Sequence, residues 1–276
     1  PCAHRPPAMA RVLLVVPCYN EAERLDGAAF RAFAIPGHEL QVLFVDDGST
    51  DDTARVLAEL EASDPRLRAL SLPQNGGKAE AVRQGVLAAL GGAYGPVDHV
   101  GYWDADLATP LEELPRFVAV LEEQPAVTMV FGARVKLLGR TIERRTYRHL
   151  YGRAFATAVS TMLRLPIYDT QCGAKLLRAG APGSTARADL QAVFATPFLS
   201  RWIFDVEILA RYIGRLEERG EEIGERIVEV PLRRWEHVAG SKIGPADGLR
   251  AGWELARIRA HHRAALQRRA RRRRGR

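Results

Sequence analysis

The chain has 276 residues, of which 47% are apolar, and a formal net charge of +7. This composition is typical of a globular protein with a sizeable core, built as one large domain or as a domain with an appendage. Its three cysteines are too few for a disulfide framework, and no apolar run reaches the roughly 18 residues that cross a bilayer, so we expect a cytosolic protein without a membrane-spanning helix.

The basic charge is concentrated at one end of the sequence. Seven of the residues from Arg268 to Arg276 are arginines, as many as the whole net charge, so the remaining chain is close to neutral. A neutral body argues against a nucleic-acid-binding face. The arginine block is typical of a disordered, solubilising end, and it would equally be attracted to an anionic membrane surface, by about 1 kcal/mol for each Lys or Arg near that surface.

Strands and helices alternate through the first half of the chain. This alternation predicts right-handed crossovers and an α/β fold with a mostly parallel central sheet that helices cover on both faces. The predicted strands are 11–16, 41–45, 66–72, one from 97 to the acids at 104–106, and 127–131. The predicted helices are about 21–33, one that is capped by Thr50 or Asp51, 78–90 and 111–124.

Two acids follow the strand that begins near Val97. Side chains alternate along a strand, so Asp104 and Asp106 would aim both carboxylates at one spot. Two such carboxylates repel each other unless a positive group lies between them, and a hard divalent cation that also carries substrate phosphates fits that need. Two solvated acids are an equally good interpretation of this motif alone. We expect Pro110 to open the next helix, with Thr109 as its N-cap.

Three polar segments would meet at one edge of this sheet. The turns 17–21, 46–47 and 104–106 each follow a predicted strand, and ligands of open parallel sheets bind beyond the carboxyl ends of the strands. The sequence lacks a Gly-x-Gly-x-x-Gly fingerprint after the first strand and lacks a Walker loop, which disfavours a dehydrogenase and a P-loop NTPase. The short loop 76–78 is either a turn with a helix start or a phosphate contact.

The second half of the chain is less regular. Residues 139–165 combine arginines with a following apolar stretch, which predicts either a core helix with a solvated basic end or an interfacial helix that meets an anionic lipid headgroup. A helix that opens at 201–209 carries Asp205 on a largely apolar segment, where an acid has either a partner, such as Arg201, or a task. The remaining predicted features are a polar turn at 169–175, strands at 176–177 and 227–230, a polar loop at 238–244 and a basic helix at about 249–267.

Six short motifs follow one another along the chain. They are Pro17-x-Tyr19-Asn20-Glu21, Asp46-Asp47-Gly48-Ser49-Thr50-Asp51, Asn75-x-Gly77-Lys78, Asp104-Ala105-Asp106, Gln171-Cys172-Gly173-x-Lys175 and Phe204-Asp205-Val206-Glu207. In this order and spacing they resemble the family 2 glycosyltransferases, which have the GT-A (Rossmann-like) fold. Within that family the pattern is most similar to the dolichyl-phosphate β-glucosyltransferases and their relatives, the dolichyl-phosphate mannosyltransferases. The resemblance covers about residues 10 to 245.

The resemblance implies an inverting transfer of a sugar from a nucleotide-sugar donor to a polyprenyl-phosphate acceptor, with Mg²⁺ or Mn²⁺ as cofactor. Asp104 and Asp106 would bind the metal, and these two acids together with Asp205 would be the catalytic residues. The donor would be bound by Pro17, Tyr19, Asn20, Glu21, Asp46, Asp47, Lys78, Asp104, Arg134 and Lys242, and the acceptor by Arg144, Arg145 and Gln171.

Two departures from the family pattern refine this expectation. The mannosyltransferases usually have Gln two residues past the second aspartate, where it helps to bind the metal, and this chain has Ala108, which favours glucose transfer from UDP-glucose. The eukaryotic glucosyltransferases usually carry an N-terminal membrane helix, and this sequence shows none. We therefore expect a cytoplasmic enzyme that lies peripherally on the cytoplasmic face of a membrane, through its basic helix and arginine tail. The expected segments are a disordered start (1–9), the glycosyltransferase domain (10–245), the basic helix (246–267) and the tail (268–276).

Two other functions stay open at this point. A transferase that acts on a hydroxyl of a soluble or glycan acceptor would need a general base, for which Asp205 or Glu207 is the candidate, whereas an acceptor phosphate is already anionic near neutral pH. A module that only binds a membrane surface or nucleic acid through the arginine tail is disfavoured by the neutral body of the chain.

Overall fold

The computed structural model describes residues 9–142, 146–236 and 246–274. Its strands are β1 (Arg11–Cys18), β2 (Glu39–Asp46), β3 (Leu67–Ser71), β4 (His99–Tyr102), β5 (Met129–Ala133), β6 (Thr141–Ile142), β7 (Lys175–Arg178), β8 (Ile227–Pro231) and β9 (Arg234–Trp235). A seven-stranded sheet has the order β3-β2-β1-β4-β7-β5-β8, and β6 pairs with β9. Within the large sheet, neighbours are parallel except that β7 runs antiparallel to β4 and β5. The predicted mostly parallel sheet is therefore confirmed.

Helices cover both faces of this sheet. None of the helices in the described part of the chain has the length and apolar character that crossing a bilayer requires. They are α1 (Gly27–Ala32), α2 (Thr53–Ser63), α3 (Lys78–Leu90), α4 (Leu114–Glu123), α5 (Thr146–Leu163), α6 (Thr185–Phe194), α7 (Phe204–Glu218), α8 (Ala246–His261) and α9 (Arg263–Arg274), with 3₁₀ turns at Leu111–Glu113 and Gly224–Arg226.

Side chains of β1 alternate between two apolar clusters, one on each face of the sheet. Leu13 and Val15 belong to the cluster that includes α3, α6 and α7. Val12, Leu14 and Val16 belong to the cluster that includes α1, α2 and α4. Burial on both faces explains why the strands are continuous apolar runs rather than alternating ones. The strand order reverses between β1 and β4, so the loops after these strands border the crevice where ligands of such sheets bind.

The first helix is much shorter than predicted. A helix was expected over 21–33, but α1 begins only at Gly27, after Asp26, whose carboxylate caps its first turn. The residues before it are instead held against the loop that follows β2. The backbone N–H of Asn20, for example, donates to Oγ of Ser49 at 3.0 Å. These contacts with a distant loop outweigh the local helical preference of the segment.

The predicted helix caps are wrong at two positions. The N-cap position of α2 is Asp52 rather than Thr50 or Asp51, although Asp51 still accepts hydrogen bonds from the backbone N–H and the hydroxyl of Thr53, the first residue of the helix, at 3.0 and 2.5 Å. Thr109 does not cap the helix after it. Its carbonyl accepts a hydrogen bond from Nε1 of Trp103 at 2.6 Å, and its side chain is buried, so the chain enters a 3₁₀ turn before α4.

The C-terminal arginines continue a helix rather than form a disordered tail. The helix predicted over 249–267 is two helices, α8 and α9, which meet at a turn at His262. α9 includes most of the predicted tail and packs against α7. The guanidinium of Arg269 is buried and donates to the carbonyls of Leu163 and Arg164, at 3.1 and 3.2 Å. A cation at the C-terminal end of α5 satisfies carbonyls that have no partner within the helix.

The close packing of α3 on the sheet gives a stability prediction at Gly85. A Cβ there would lie 2.5 Å from Cγ1 of Val15 and 3.0 Å from Cγ2 of Val45. Alanine usually stabilises a helix interior relative to glycine, by about 0.5–1 kcal/mol. Here we expect Gly85→Ala to lower the free energy of unfolding by about 1–3 kcal/mol, because the added methyl group overpacks the core. Urea denaturation measures the change. Gly252→Ala in α8, where a Cβ meets nothing within 4 Å, should be neutral or stabilising. Equal effects of the two substitutions would contradict the close packing.

Candidate active site

The loops after β1 and β2 join at the edge of the sheet. Cys18 and Asp46 end these strands as register partners, and the N–H of Asp47 donates to the carbonyl of Cys18 at 2.9 Å. The carboxylate of Asp46 accepts from a backbone N–H three residues further on, at 2.9 Å. Asn20 has a positive φ of 54°, and its side-chain oxygen accepts from the N–H of Thr50 at 2.9 Å. The two turns that the sequence predicted to meet here do lie together.

The first of these turns presents an aromatic ring and a carboxylate. Pro17 lies within β1, whereas Tyr19 is 43% exposed just beyond the strand. Oε1 of Glu21 accepts a hydrogen bond from Arg24 at 2.6 Å, but Oε2 is buried without a hydrogen-bond partner. Burial raises the pKa of Glu21, against the opposing effect of Arg24. An exposed ring beside a free carboxylate oxygen suits the binding of a polar aromatic ligand.

Asp47 holds the loop that precedes α3. Its buried carboxylate accepts hydrogen bonds from the N–H groups of Gly76 and Gly77, at 2.8 and 2.7 Å. Burial raises the pKa of Asp47, and these two hydrogen bonds and the charge of Arg201 oppose it. Gly77 has a φ of 89°, a conformation that favours glycine, and it places Lys78 at the first residue of α3.

Lys78 and Asp104 form an ion pair in the crevice. Nζ of Lys78 contacts Oδ1 of Asp104. Burial would raise the pKa of Asp104, but Lys78, followed by Lys175 and Arg134, lowers it below the ordinary value. Asp104 is therefore an ionised carboxylate at neutral pH, with three cations near it.

Asp104 and Asp106 lie in a turn. The prediction that the strand continues to these acids is wrong. β4 ends at Tyr102, so strand alternation is not what brings the two acids together. The turn contains Leu107 at a positive φ of 50°, and Oδ1 of Asp106 accepts from the N–H of Ala108 at 3.0 Å. Burial, followed by the negative charge of Asp104, raises the pKa of Asp106. The two carboxylates thus influence each other, for a different structural reason than the sequence suggested.

These two acids offer a small set of oxygen ligands for a metal. Magnesium is commonly held by one or two carboxylates together with substrate phosphates, and manganese accepts the same oxygen ligands. Among the residues that the structure describes, no group of three or more acidic, His or Cys side chains could hold a metal ion. Asp104 and Asp106 are two carboxylates, the donor set that fits a cation also held by phosphate oxygens, and burial together with the charge of Asp104 raises the pKa of Asp106.

Arg134, a predicted donor contact, is paired with Asp169. Its Nε and Nη2 atoms donate to the two carboxylate oxygens at 2.6 and 2.8 Å, and its guanidinium lies 5.4 Å from the ring centre of Trp235. Burial would lower the pKa of Arg134, but Asp169 raises it. Glu229 accepts from the N–H of Asp169 at 2.7 Å and fixes this turn. Sequence reasoning gave Asp169 no role, because nothing in the local pattern shows which distant cation it meets.

Asp205 is buried and paired with Lys175, not with Arg201 as the sequence suggested. Nζ of Lys175 lies 2.7 Å from Oδ1 of Asp205, and the hydroxyl of Tyr102 donates to the same oxygen at 2.5 Å. Lys175 also donates to the carbonyl of Cys172 at 2.5 Å. Asp205 is therefore a packed, ion-paired acid, and its role as a general base stays a prediction. Lys175 was missed as a site residue, although it belongs to one of the six motifs.

Glu207, the other candidate base, lies within the packing of α7. Its carboxylate accepts from the N–H of Leu199 at 2.7 Å and from Nη2 of Arg211 at 2.8 Å, and Nε2 of His262 is 3.5 Å away. Burial would raise the pKa of Glu207, but His262, Arg211 and the N–H of Leu199 lower it. Glu207 thus connects α7 to the start of α9.

The predicted acceptor residues are only partly described by the structure. Gln171 is half-buried, and its Nε2 atom is buried without a hydrogen-bond partner, so this amide has a donor available for a ligand. Arg144, Arg145 and Lys242 lie outside the described residues. Their predicted contacts with acceptor and donor stay predictions.

Comparison with known proteins agrees with the motifs in this crevice. The family model described as glycosyl transferase family 2 matches residues 13–181, which is more than half of the chain. The chain is a family 2 glycosyltransferase. Its relatives include the human dolichyl-phosphate β-glucosyltransferase, which is 30% identical over 265 residues, or 90% of this chain and 75% of that protein. The mouse dolichyl-phosphate β-glucosyltransferase is 32% identical over 267 residues, with the same coverage of 90% and 75%.

This glycosyltransferase also shares its fold with a solved enzyme. The crystal structure of glucosyl-3-phosphoglycerate synthase from Mycobacterium tuberculosis gives a TM-score of 0.58 at 20% sequence identity, over 94% of this chain and 81% of that one. Another structure of that synthase contains Mn²⁺, UDP and glucosyl-3-phosphoglycerate. At this level of identity the likeness concerns the fold, and it confirms the predicted fold class.

The lowered pKa of Glu207 gives a pH prediction for the glycosyltransferase. Its pKa in the folded protein lies below the ordinary value of 4.5, so the stability it contributes is present above that value and is lost as the pH falls through the lower folded-state pKa. We expect Glu207→Gln to lower the free energy of unfolding at pH 7 by about 3 kcal/mol, because Arg211 loses a buried partner. The difference from wild type should shrink as the pH falls below 4.5.

Urea denaturation at neutral and acidic pH measures this difference. Glu218→Gln is a matched control on the same helix, because Glu218 is 55% exposed and pairs with Arg215 at the surface. Its effect should stay within about 0.5 kcal/mol at both pH values. A loss of stability in Glu207→Gln that is the same at acidic pH as at pH 7 would contradict the assigned pKa direction.

Proposed function

We propose that this enzyme transfers glucose, with inversion at the anomeric carbon, from UDP-glucose to a polyprenyl phosphate such as dolichyl phosphate. The observation that carries the proposal is the similarity to dolichyl-phosphate β-glucosyltransferases along 90% of the chain. The crevice at the reversal of strand order supplies groups that such a reaction needs, and the buried acids beneath it agree with an acceptor that requires no general base.

The donor would bind between the loops after β1, β2 and β4. Tyr19, Glu21 and Asp47 offer an aromatic ring and carboxylates for the nucleoside, while Pro17, Asn20 and Asp46 shape the loops through their backbone contacts. Lys78 begins α3, where the positive end of a helix also favours the donor diphosphate. Arg134, through its pair with Asp169, would border the sugar, and Lys242 is proposed to join it.

Asp104 and Asp106 would hold Mg²⁺ or Mn²⁺ together with the diphosphate. When bound, the cation would neutralise the negative charge that develops on the leaving diphosphate. Positive charge at this position stabilises the transition state and so accelerates transfer. The synthase from M. tuberculosis, crystallised with Mn²⁺ and UDP, supports the use of a divalent metal within this fold. Lys78, which pairs with Asp104 in the structure, is a second positive group that the diphosphate would meet.

The acceptor phosphate would attack without a general base, because it is already anionic near neutral pH. Asp205 and Glu207, the candidate bases for a hydroxyl acceptor, are both buried and both paired with cations. Their burial supports a phosphate acceptor over a hydroxyl acceptor. Gln171, with its unpartnered amide, and Arg144 and Arg145 are the proposed acceptor contacts.

The enzyme would meet its lipid acceptor from the cytoplasmic face of a membrane, as a peripheral protein. α8 and α9 present exposed arginines, and Trp253 on α8 is 63% exposed. Exposed tryptophan and arginine side chains are typical of a surface that contacts lipid headgroups. Arg269 is buried in the packing of α9. The arginines that would contact the membrane are therefore the exposed ones of the same helix, Arg263, Arg268 and Arg271.

Catalysis can be tested directly with the proposed substrates. The protein, mixed with UDP-glucose, a polyprenyl phosphate in detergent and Mn²⁺, should form a β-linked lipid glucoside, which extraction of labelled glucose into organic solvent measures. We expect Asp106→Ala to lower turnover by about 10²-fold or more, because the charge of the leaving diphosphate is then poorly compensated. Chelation with EDTA should have a similar effect.

The matched control is Glu59→Ala, which removes a 63% exposed acid on α2 and should leave turnover unchanged. Full activity in EDTA would contradict the metal requirement. Transfer of glucose to a soluble hydroxyl acceptor, with none to the lipid phosphate, would contradict the proposed acceptor and support the alternative transferase.

Membrane contact can be tested separately from catalysis. We expect Arg263→Gln/Arg268→Gln/Arg271→Gln to weaken binding to anionic liposomes by about 10²-fold at low salt, at roughly 1 kcal/mol for each arginine. Cosedimentation with phosphatidylserine vesicles measures the binding. Turnover on detergent-solubilised acceptor should not change.

The control for this experiment removes three exposed arginines from the opposite part of the chain, as Arg31→Gln/Arg55→Gln/Arg68→Gln. It changes the net charge equally and should leave liposome binding intact. Binding of the wild-type protein that does not weaken with added salt would contradict an electrostatic attachment.

A further inference from the structure

A buried cation lies beneath the acids of the crevice. Lys175, the first residue of β7, has no exposed surface, and its Nζ lies 5.2 and 5.0 Å from the ring centres of Tyr102 and Phe131. Its charge is paired with Asp205, 2.7 Å away. Two buried charges carry a large desolvation cost, and well-packed apolar side chains often replace such a pair without loss of stability. A geometric task is therefore the better explanation for this pair.

Lys175 also ties down the turn before its own strand. Nζ donates to the carbonyl of Cys172 at 2.5 Å, while the hydroxyl of Tyr102 donates to Asp205 at 2.5 Å. The turn is thereby connected to β4 through Tyr102 and to the first turn of α7 through Asp205. Its carbonyl cannot move without breaking a buried, charge-assisted hydrogen bond.

Gly173, the next residue in this turn, forms the wall against which Asp104 lies. A Cβ built on Gly173 would overlap the carboxylate group of Asp104, including both of its oxygen atoms. The backbone of Gly173 is not in the left-handed region, so its conformation would accept other residues. The absence of a side chain is needed here only to leave room for the carboxylate.

We propose that Gly173, together with the buried Lys175–Asp205 pair that fixes its turn, forms a seat that holds the Asp104 carboxylate in place for the donor diphosphate and its cation. This inference rests on the proposed function. Lys175 and Asp205 are buried and paired with each other, so in this arrangement both are positioning residues. The seat gives Asp205 a task other than that of a general base, and it gives Gly173 and Lys175 a role in donor binding.

The first test compares two glycine substitutions, Gly173→Ala and Gly252→Ala. Calorimetry gives the dissociation constant of UDP with EDTA and with Mn²⁺, and the ratio of the two constants is the metal-dependent gain in UDP affinity. The seat predicts that Gly173→Ala lowers this gain by about 10–100-fold, because a displaced ligand binds the metal poorly. UDP affinity in EDTA should stay unchanged. Gly252→Ala, in open space on α8, should leave both constants unchanged.

The second test uses Asp205→Asn, which keeps the size of the side chain and removes the charge that pairs with Lys175. A positioning role predicts a lower metal-dependent gain in UDP affinity. A general base would leave this gain unchanged and lower turnover alone. Thermal unfolding of each variant establishes that it is folded at the temperature of the titration. If Asp205→Asn is unfolded at that temperature, Gly173→Ala decides the question.

A folded Gly173→Ala variant with a normal metal-dependent gain would overturn the seat. Equal losses of UDP affinity with and without Mn²⁺ would also overturn it, because they would indicate general damage to the pocket. The proposed function fails in a different way. If the wild-type protein shows the metal-dependent gain in UDP affinity but makes no lipid-linked glucose, the proposed acceptor is wrong. The UDP titrations still decide whether the seat exists.

Discussion

Carboxylates crowded at one edge of a parallel sheet repel one another, and in this structure cations pair with some of them while backbone N–H groups bind others. Ion pairs of this kind contribute little net stability, because solvent screens a partly exposed pair and desolvation offsets most of the attraction in a buried one. Their value is that each pair fixes the direction of an acid. Three pairs border the crevice, and they are Lys78–Asp104, Arg134–Asp169 and Lys175–Asp205. Within the part of the chain that the structure describes, Asp106 has no such cation against it, and burial together with the negative charge of Asp104 raises its pKa, which marks a point where added positive charge is favourable.

The backbone makes this crowding possible through close approaches at two glycines. Gly77 turns the chain so that Asp47 can accept two N–H groups and Lys78 can begin a helix beside Asp104. Gly173 leaves the space that the carboxylate of Asp104 fills. Both glycines bring backbone from one segment against an acid from another, so the crevice depends on contacts between loops that are far apart in sequence.

The sequence predicted the features that depend on local pattern. Continuous apolar runs predicted the parallel strands, and the polar turns after them predicted where Asp47 and Asp104 would lie. It could not predict that β7 enters the sheet antiparallel, because a short apolar run carries no sign of its direction. Nor could it show that Asp205 pairs with Lys175, since the two residues lie on separate elements, α7 and β7, that only the tertiary fold brings together. The first helix was predicted too long for the same reason, because contacts with a distant loop decide its start.

The burial of the candidate bases constrains the chemistry more than any single motif does. A hydroxyl nucleophile must lose a proton as it attacks, and a side chain that accepts this proton has to reach it within hydrogen-bond distance. Asp205 and Glu207 instead have their carboxylates taken up by Lys175 and Arg211, inside the protein. A phosphate nucleophile avoids this requirement, and what it needs is positive charge to approach the donor. The crevice cations are already paired with acids, so the exposed arginines of α8 and α9, which pack on α7, would be the positive charge that an anionic acceptor meets.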